Sequence, residues 1–241
     1  MSTPRWFSPL LVILPAMMVA VIALGYLSYR ASSQLAAKTE VSVERGNRVL
    51  GRKLIDRIEK VIIDTDRAFF RLVRLDDPQE FRELWRRIVR VSPAVESVIV
   101  LDERRDIVHL VATLNPTELE RFRGVFEERI LPDMDLSTLP VDNHKHLHKT
   151  YSGIPFLLSY IRQSTGGRDY YIVLNINLRH LLRTIFPQEF GSLEQTNAIS
   201  VVDQGGRLLY GSRPPQARKT PGRVLGYQAR FPTTLYKWQL H

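Results

Sequence analysis

The stretch SVIVLDERRDIVHLV, residues 97–111, sets two apolar, β-rich runs on either side of a charged turn, and it reads as a β-hairpin. The same form returns later. Ala198 to Asp203 meets Arg207 to Tyr210 across Gln204-Gly205-Gly206, a turn with glycine where a positive φ is wanted. In both, an aspartate closes the first strand. Two further strands, Phe156 to Gln163 and Tyr170 to Asn177, join at Gly166-Gly167 and lead into a short helix, Leu178 to Phe186, that Pro187 ends. After a basic, proline-rich loop over 212–223, Val224 to Phe231 and Leu235 to Leu240 are strand-like. The expected fold class is α+β with antiparallel sheets.

Toward the N-terminus the period changes. Leu50, Leu54, Ile58, Val61 or Ile62, Thr65, Phe69 and Leu72 recur at three- and four-residue spacing, with Arg48, Arg52, Lys53, Arg57, Glu59 and Lys60 between them. This predicts a long amphipathic helix from Ala31 to about Leu75. Its stripe packs on its own domain, forms a dimer seam, or does both. A second helix is predicted from Asp77-Pro78-Gln79-Glu80 to about Val91, with Phe81, Leu84, Trp85, Ile88 and Val89 on one face. Asn115-Pro116-Thr117-Glu118 repeats the capping signature and opens a third helix to about Ile130, followed by a loop rich in Pro, Asp and His.

Trp6 to Tyr29 carries no charge over 24 positions and is bounded by Arg5 and Arg30. As a helix it would be about 36 Å long, enough to cross a ~30 Å hydrocarbon layer with some tilt. Trp6, Phe7, Tyr26 and Tyr29 fall at its interfacial ends. It is too long for the ~7–15-residue apolar region of a cleaved signal, so an uncleaved anchor is expected. A short N-terminal tail before it suits an N-inside orientation, with residues 31–241 outside the cytoplasm of an inner membrane. The absence of cysteine is compatible with that compartment. The net charge of +9 is spread along the chain, without the compact basic and aromatic block of a nucleic-acid binder.

These pieces together resemble the extracytoplasmic double Cache, PAS-like, sensor region of bacterial transmembrane receptors (sensor histidine kinases, chemoreceptors and cyclic-dinucleotide enzymes), and a sensor histidine kinase is the expected case here. The matching pieces are Val98-Ile-Val-Leu-Asp102 with Ile107-Val-His109, and Val201-Val-Asp203 with Gly206-Arg-Leu-Leu-Tyr210. Tyr171-Ile-Val-Leu-Asn-Ile-Asn-Leu178 resembles the strand closing the membrane-distal module, and Phe231 to Leu240, with Trp238, the closing strands of the proximal one. The resemblance implies a tail and transmembrane helix over 1–30 and a signalling and dimerisation helix over 31–75. A full distal module would cover 76–186, and a smaller proximal one 187–241, cut short before a second transmembrane helix. It also implies a small ligand against the distal sheet under its helix-and-loop cover, which here would gather Tyr151, Tyr160, Arg162, Tyr170 and Asn175. Aromatic walls with one arginine suit a small carboxylate or other anion. The arginine–tryptophan–tyrosine signature of the amino-acid-binding group is absent, since Arg82-Glu-Leu-Trp85 has the wrong spacing.

A second candidate is metal. His144, His146 and His148 alternate, so on an extended strand their imidazoles would face one way and suit zinc, copper or nickel. The competing reading is a solvated loop edge, with Lys145 and Lys149 discouraging a cation; the nearby Asp133, Asp135 and Asp142 favour the metal. His109 and His180 read as structural. No cofactor is otherwise expected. There is no cysteine nucleophile, Gly-x-Ser-x-Gly elbow, His-Glu-x-x-His helix or phosphate-cradling glycine loop, so no enzyme is expected within this chain. The expected function is the ligand-sensing input region of a membrane-bound homodimeric receptor, with a histidine kinase elsewhere in the full-length protein. The competing class is a membrane-tethered scaffold binding an envelope protein.

Overall fold

The computed structural model describes residues 10–72, 83, 86–87, 89–90, 92–193, 198–212 and 227–241, with side-chain surroundings from residue 17 onward. Helix α1 spans Leu10–Leu72 without a break. Met17 to Tyr29 are all exposed, and none of the residues 30–49 is buried. From Gly51 the helix acquires a buried face of Leu54, Ile55, Ile58, Ile62, Phe69 and Phe70. The predicted stripe is therefore right at its centre, where it packs on its own domain. It fails at its end, since Leu72 is exposed. Among the described residues no helix is long and apolar enough to cross a membrane. The side chains of residues 1–16, which complete the expected span, lie outside the described set.

Contacts divide the chain into two units, one made of Met1–Val49 with Gly222–Gly226, the other of Leu50–Pro221 with Tyr227–His241. The second unit holds both sheets. Strands β1 (Val95–Leu101), β2 (Ile107–Ala112), β3 (His144–Tyr151), β4 (Ile154–Thr165) and β5 (Arg168–Ile176) form an antiparallel sheet in the order β2-β1-β5-β4-β3. Strands β6 (Ser200–Asp203), β7 (Leu208–Gly211), β8 (Ala229–Arg230) and β9 (Trp238–Leu240) form another, in the order β7-β6-β9-β8. The α+β class with antiparallel sheets and a long N-terminal helix stands as expected.

Local chemistry explains the parts that were legible. At the first hairpin Asp102 Oδ1 accepts from the backbone N–H of Arg104 and Asp106, both at 2.9 Å. At the second, Asp203 Oδ1 accepts from Gly205 and Arg207, again at 2.9 Å. Helix α2 (Pro116–Val125) starts on the expected box, with Glu118 N–H donating to Asn115 Oδ1 at 2.9 Å and Glu118 Oε2 accepting from Asn115 N–H. It widens into a π-helical stretch, Phe126–Ile130.

Three expectations change. The histidine run is strand β3, the edge of the first sheet, rather than a loop. Its polar sequence hides this, because its order comes from β4 pairing and its lysines suit a sheet edge. Pro187 does not end the helix after β5. That helix runs as α3 (Leu178–His180), a π-helical stretch (Leu181–Ile185) and α4 (Phe186–Phe190), with Pro187 at the second position of α4. The strand-like 235–240 run pairs only over Trp238–Leu240. The helix expected over 77–91 lies largely outside the described residues, although Val89 is helical and buried.

Candidate functional site

Alternation along β4 and β5 sorts side chains onto two faces of the first sheet. On the face toward α2, Ile99, Leu101, Leu158, Tyr160, Tyr171 and Val173 meet Phe122, Phe126, Ile130, Met134, Leu136 and Leu139. The space under the helix-and-loop cover is therefore apolar packing. Tyr151 and Tyr160 belong to it, 7% and 3% exposed. The Tyr151 hydroxyl donates to Asp133 Oδ2 at 2.6 Å, and burial, aided by that carboxylate, holds it well above the usual phenol range. Arg162 donates through Nε to Asp169 Oδ2 at 3.1 Å and through a terminal nitrogen to the Leu139 carbonyl at 3.4 Å. Asn175 donates to Glu96 Oε2 at 3.3 Å. Tyr170 stands opposite Gln163 in the ladder, and Gln163 reaches the Phe70 carbonyl at 3.5 Å on the α1 side. Of the five expected ligand residues, Tyr151, Tyr160, Arg162 and Asn175 share the α2 face, where each has a protein partner, and Tyr170 is on the other face.

The α1 face is different. Its aliphatic core, with Leu54, Ile58, Ile62, Leu157, Ile172 and Leu174, is shared with Val201, Phe231, Leu235, Trp238 and Leu240 around the second sheet. Polar groups are pinned into it. Glu59 Oε1 accepts from Thr233 N–H at 2.7 Å and Thr234 N–H at 3.0 Å. Asp66, with no exposed surface, accepts at Oδ2 from His146 Nε2 at 2.7 Å. His148 is 1% exposed, edge-on to Trp238 with ring centroids 5.1 Å apart, and its Nδ1 accepts from Lys237 N–H at 3.2 Å. Burial pushes its imidazole down to about 4, against a hydrogen bond to the Leu235 backbone.

The three histidines thus share one face, as the spacing implied, but they do not converge. His144 and His146 lie together with Asp66, while His148 belongs to the packing against β9. Asp133 and Asp135 are on the opposite side, where they hold Lys149 at 2.7 Å and Lys145 at 3.1 Å, and Asp142 is exposed. Sequence reasoning missed Asp66. The readable signal was its place within the apolar stripe, four residues after Ile62 and three before Phe69, where a carboxylate is costly unless partnered.

A cleft of about 320 Å³ opens between the β3–β4 turn region and the second hairpin, lined by Lys149, Thr150, Asp203, Arg207, Lys237 and Trp238 among others. Its cations are Lys149, Arg207 and Lys237, of which Lys149 is paired with Asp133 at 2.7 Å. Arg207 is paired with Asp203 at 3.1 Å.

No family model and no curated protein matches the chain. Among solved structures, it is similar to extracellular sensor domains of histidine kinases and to ligand-binding domains of chemoreceptors. The ligand-binding domain of the Pseudomonas aeruginosa amino acid chemoreceptor PctC, in complex with GABA, shares 12% identity at a TM-score of 0.44, over 84% of this chain and 97% of that one. That of the Campylobacter jejuni chemoreceptor Tlp3, in complex with L-norvaline, shares 8% at 0.43, over 83% and 90%. The extracellular domain of a histidine kinase, vpHK1S-Z8, shares 12% at 0.41, over 75% and 70%. The likeness is one of general arrangement.

Proposed function

We propose that residues 31–241 are the extracytoplasmic input region of a membrane-bound bacterial receptor, a two-component sensor histidine kinase, that binds a small anionic ligand and passes its effect to the membrane through α1. In this reading residues 6–29 cross the inner membrane, 31–75 signal and pair with a second copy, 76–186 form the distal Cache-like module and 187–241 the proximal one. The observation that carries it is α1 itself. One helix exposes an apolar surface over Met17 to Tyr29, then enters the core through Leu54, Ile58, Ile62 and Phe69. A ligand that alters the packing on that buried face acts on the same helix that carries the apolar segment, to the extent that it binds the two states differently. Lys149, Arg207 and Lys237 around the cleft suit a small carboxylate or similar anion.

The test is thermal unfolding of the detergent-purified chain against a panel of small organic acids and phosphate. An anion at about a hundred times its Kd adds ~2.7 kcal/mol, which raises the Tm of a domain this size by roughly 5–10 °C. That rise is expected for at least one anion and is lost when Lys149, Arg207 and Lys237 are changed together to alanine. No rise with any anion sinks the ligand reading and favours a scaffold. Alkaline phosphatase fused after His241, active only outside the cytoplasm, reads the orientation independently; an inactive, stable fusion overturns it.

A further inference from the structure

We infer that Asp66, His144 and His146 form a binding site for a divalent first-row transition ion, zinc or its neighbours, which clamps α1 to the edge strand β3. The three side chains each offer one ligand atom, and all of these atoms lie within 4.8 Å of one another. The donors come from regular elements: the carboxylate from the last two turns of α1, and the imidazoles from alternate positions of a strand paired to β4 at Ile161 and Ser159. The two rings stand edge to face with centroids 5.4 Å apart.

A plain Asp66–His146 hydrogen bond explains part of this arrangement. It does not explain the rest. Asp66 is fully buried, yet its Oδ1 has no hydrogen-bond partner among the described residues. A buried acceptor left unmade costs about 1–3 kcal/mol, more when charged. Ser159, opposite His146 in the ladder, likewise has a buried hydroxyl without a partner among the described residues. His144 adds a second imidazole at the same place. No lysine belongs to the cluster; Lys145 and Lys149 point to Asp135 and Asp133 on the other side of the strand.

Two imidazoles and one carboxylate are a borderline N₂O set that suits zinc, nickel or copper better than calcium or magnesium. They fill three of zinc's four positions and leave the last to water. Ligands at ~2.0–2.1 Å in a tetrahedron stand about 3.3 Å apart, so Asp66 Oδ2 and His146 Nε2 need to part by about 0.6 Å from their 2.7 Å contact. Bound there, the ion would occupy the orphaned side of Asp66. It would reinforce a link between residues 80 apart in the chain that the Asp66–His146 hydrogen bond already makes.

The experiment is titration calorimetry of the detergent-purified, metal-stripped chain with zinc alone, beside magnesium, followed by cobalt as a spectroscopic probe. One equivalent of zinc is expected at micromolar or tighter affinity, with no magnesium binding and with the visible absorption of four-coordinate cobalt. Losing even a group that orients a ligand costs about 10–100-fold in metal affinity, so His144→Ala and Asp66→Asn should each cost at least that. His180→Ala, on the α3 turn, should change nothing. If Asp66→Asn does not fold, the partly exposed His144 decides the matter. Zinc binding that survives His144→Ala, or no zinc binding by the parent chain, overturns the inference. Neither outcome depends on whether the anion reading holds.

Discussion

The two faces of the first sheet are built from similar aliphatic residues but closed in different ways. The face toward α2 is covered by residues 116–139, the chain's next segments after β1 and β2, and its core is mostly apolar and aromatic, with Ser97 and Asn175 its buried polar residues on the strands. The face toward α1 is covered by a helix from before the sheet and by a second sheet from after it, and there Glu59, Asp66 and His148 are buried among the hydrocarbons. Apolar burial is strong but non-directional. It serves where short connections already fix the geometry. Elements far apart in sequence need directional contacts to choose one register, and the buried polar pins of α1 supply them.

That difference can be broken in order of effect. Phe126 is fully buried on the apolar face, and Phe126→Ala should cost about 3–5 kcal/mol in urea unfolding. A cost below 1 kcal/mol would mean the face is not packed as described. Glu59→Ala strands the N–H groups of Thr233 and Thr234 and should cost about 1–3 kcal/mol. Hydrogen exchange should rise there first, at 231–235. If stability and exchange are both unmoved, the pins are decoration.

The hairpins give a finer comparison. Arg105, at φ 70°, and Gly206, at φ 75°, occupy the same place three residues after Asp102 and Asp203. A side chain in that conformation costs roughly 1–2 kcal/mol relative to glycine. Gly206→Ala should therefore lose about that much, and Arg105→Gly should gain somewhat less, both read from chemical denaturation. Equal and opposite signs sharpen the kinship of the two hairpins; the same sign for both breaks it.

The smallest effect is electrostatic. Glu96 sits at the bulge between Val95 and Ser97, and burial raises its pKa, opposed by Arg179 and the Asn175 hydrogen bond. A carboxyl whose folded value is raised costs stability above its unfolded pKa, and the cost vanishes once both states are protonated. Glu96→Gln should raise the Tm slightly at pH 7 and not at pH 3. A gain that persists at pH 3 would assign it to packing instead.

How much of this was legible follows from range. The hairpin aspartates and the Asn115–Glu118 box act within four residues, so sequence reading found them. The buried stripe of α1 was visible at its centre because helical period alone places Leu54, Ile58, Ile62 and Phe69 on one face. Strand β3 was read as a loop, because HKHLHKTY lacks an apolar face of its own and becomes a strand only beside β4. The surroundings of the ligand quintet were hidden for a related reason. Alternation puts Tyr170 opposite Gln163 on the α1 side, and Arg162, Asn175 and Tyr151 were claimed by Asp169, Glu96 and Asp133, partners that spacing does not name.

The histidine triplet shows where the division lies. Its alternation determined that three imidazoles would share one face of any strand they formed, and period two is a property of the backbone alone. Which two of them meet a carboxylate, and which one is spent against Trp238, was decided only when α1 and β9 packed on that face. Local hydrogen bonds and periodicity are written in neighbouring residues. The meeting of Asp66 with His146 joins residues 80 apart, and only the buried core that brings them together specifies it.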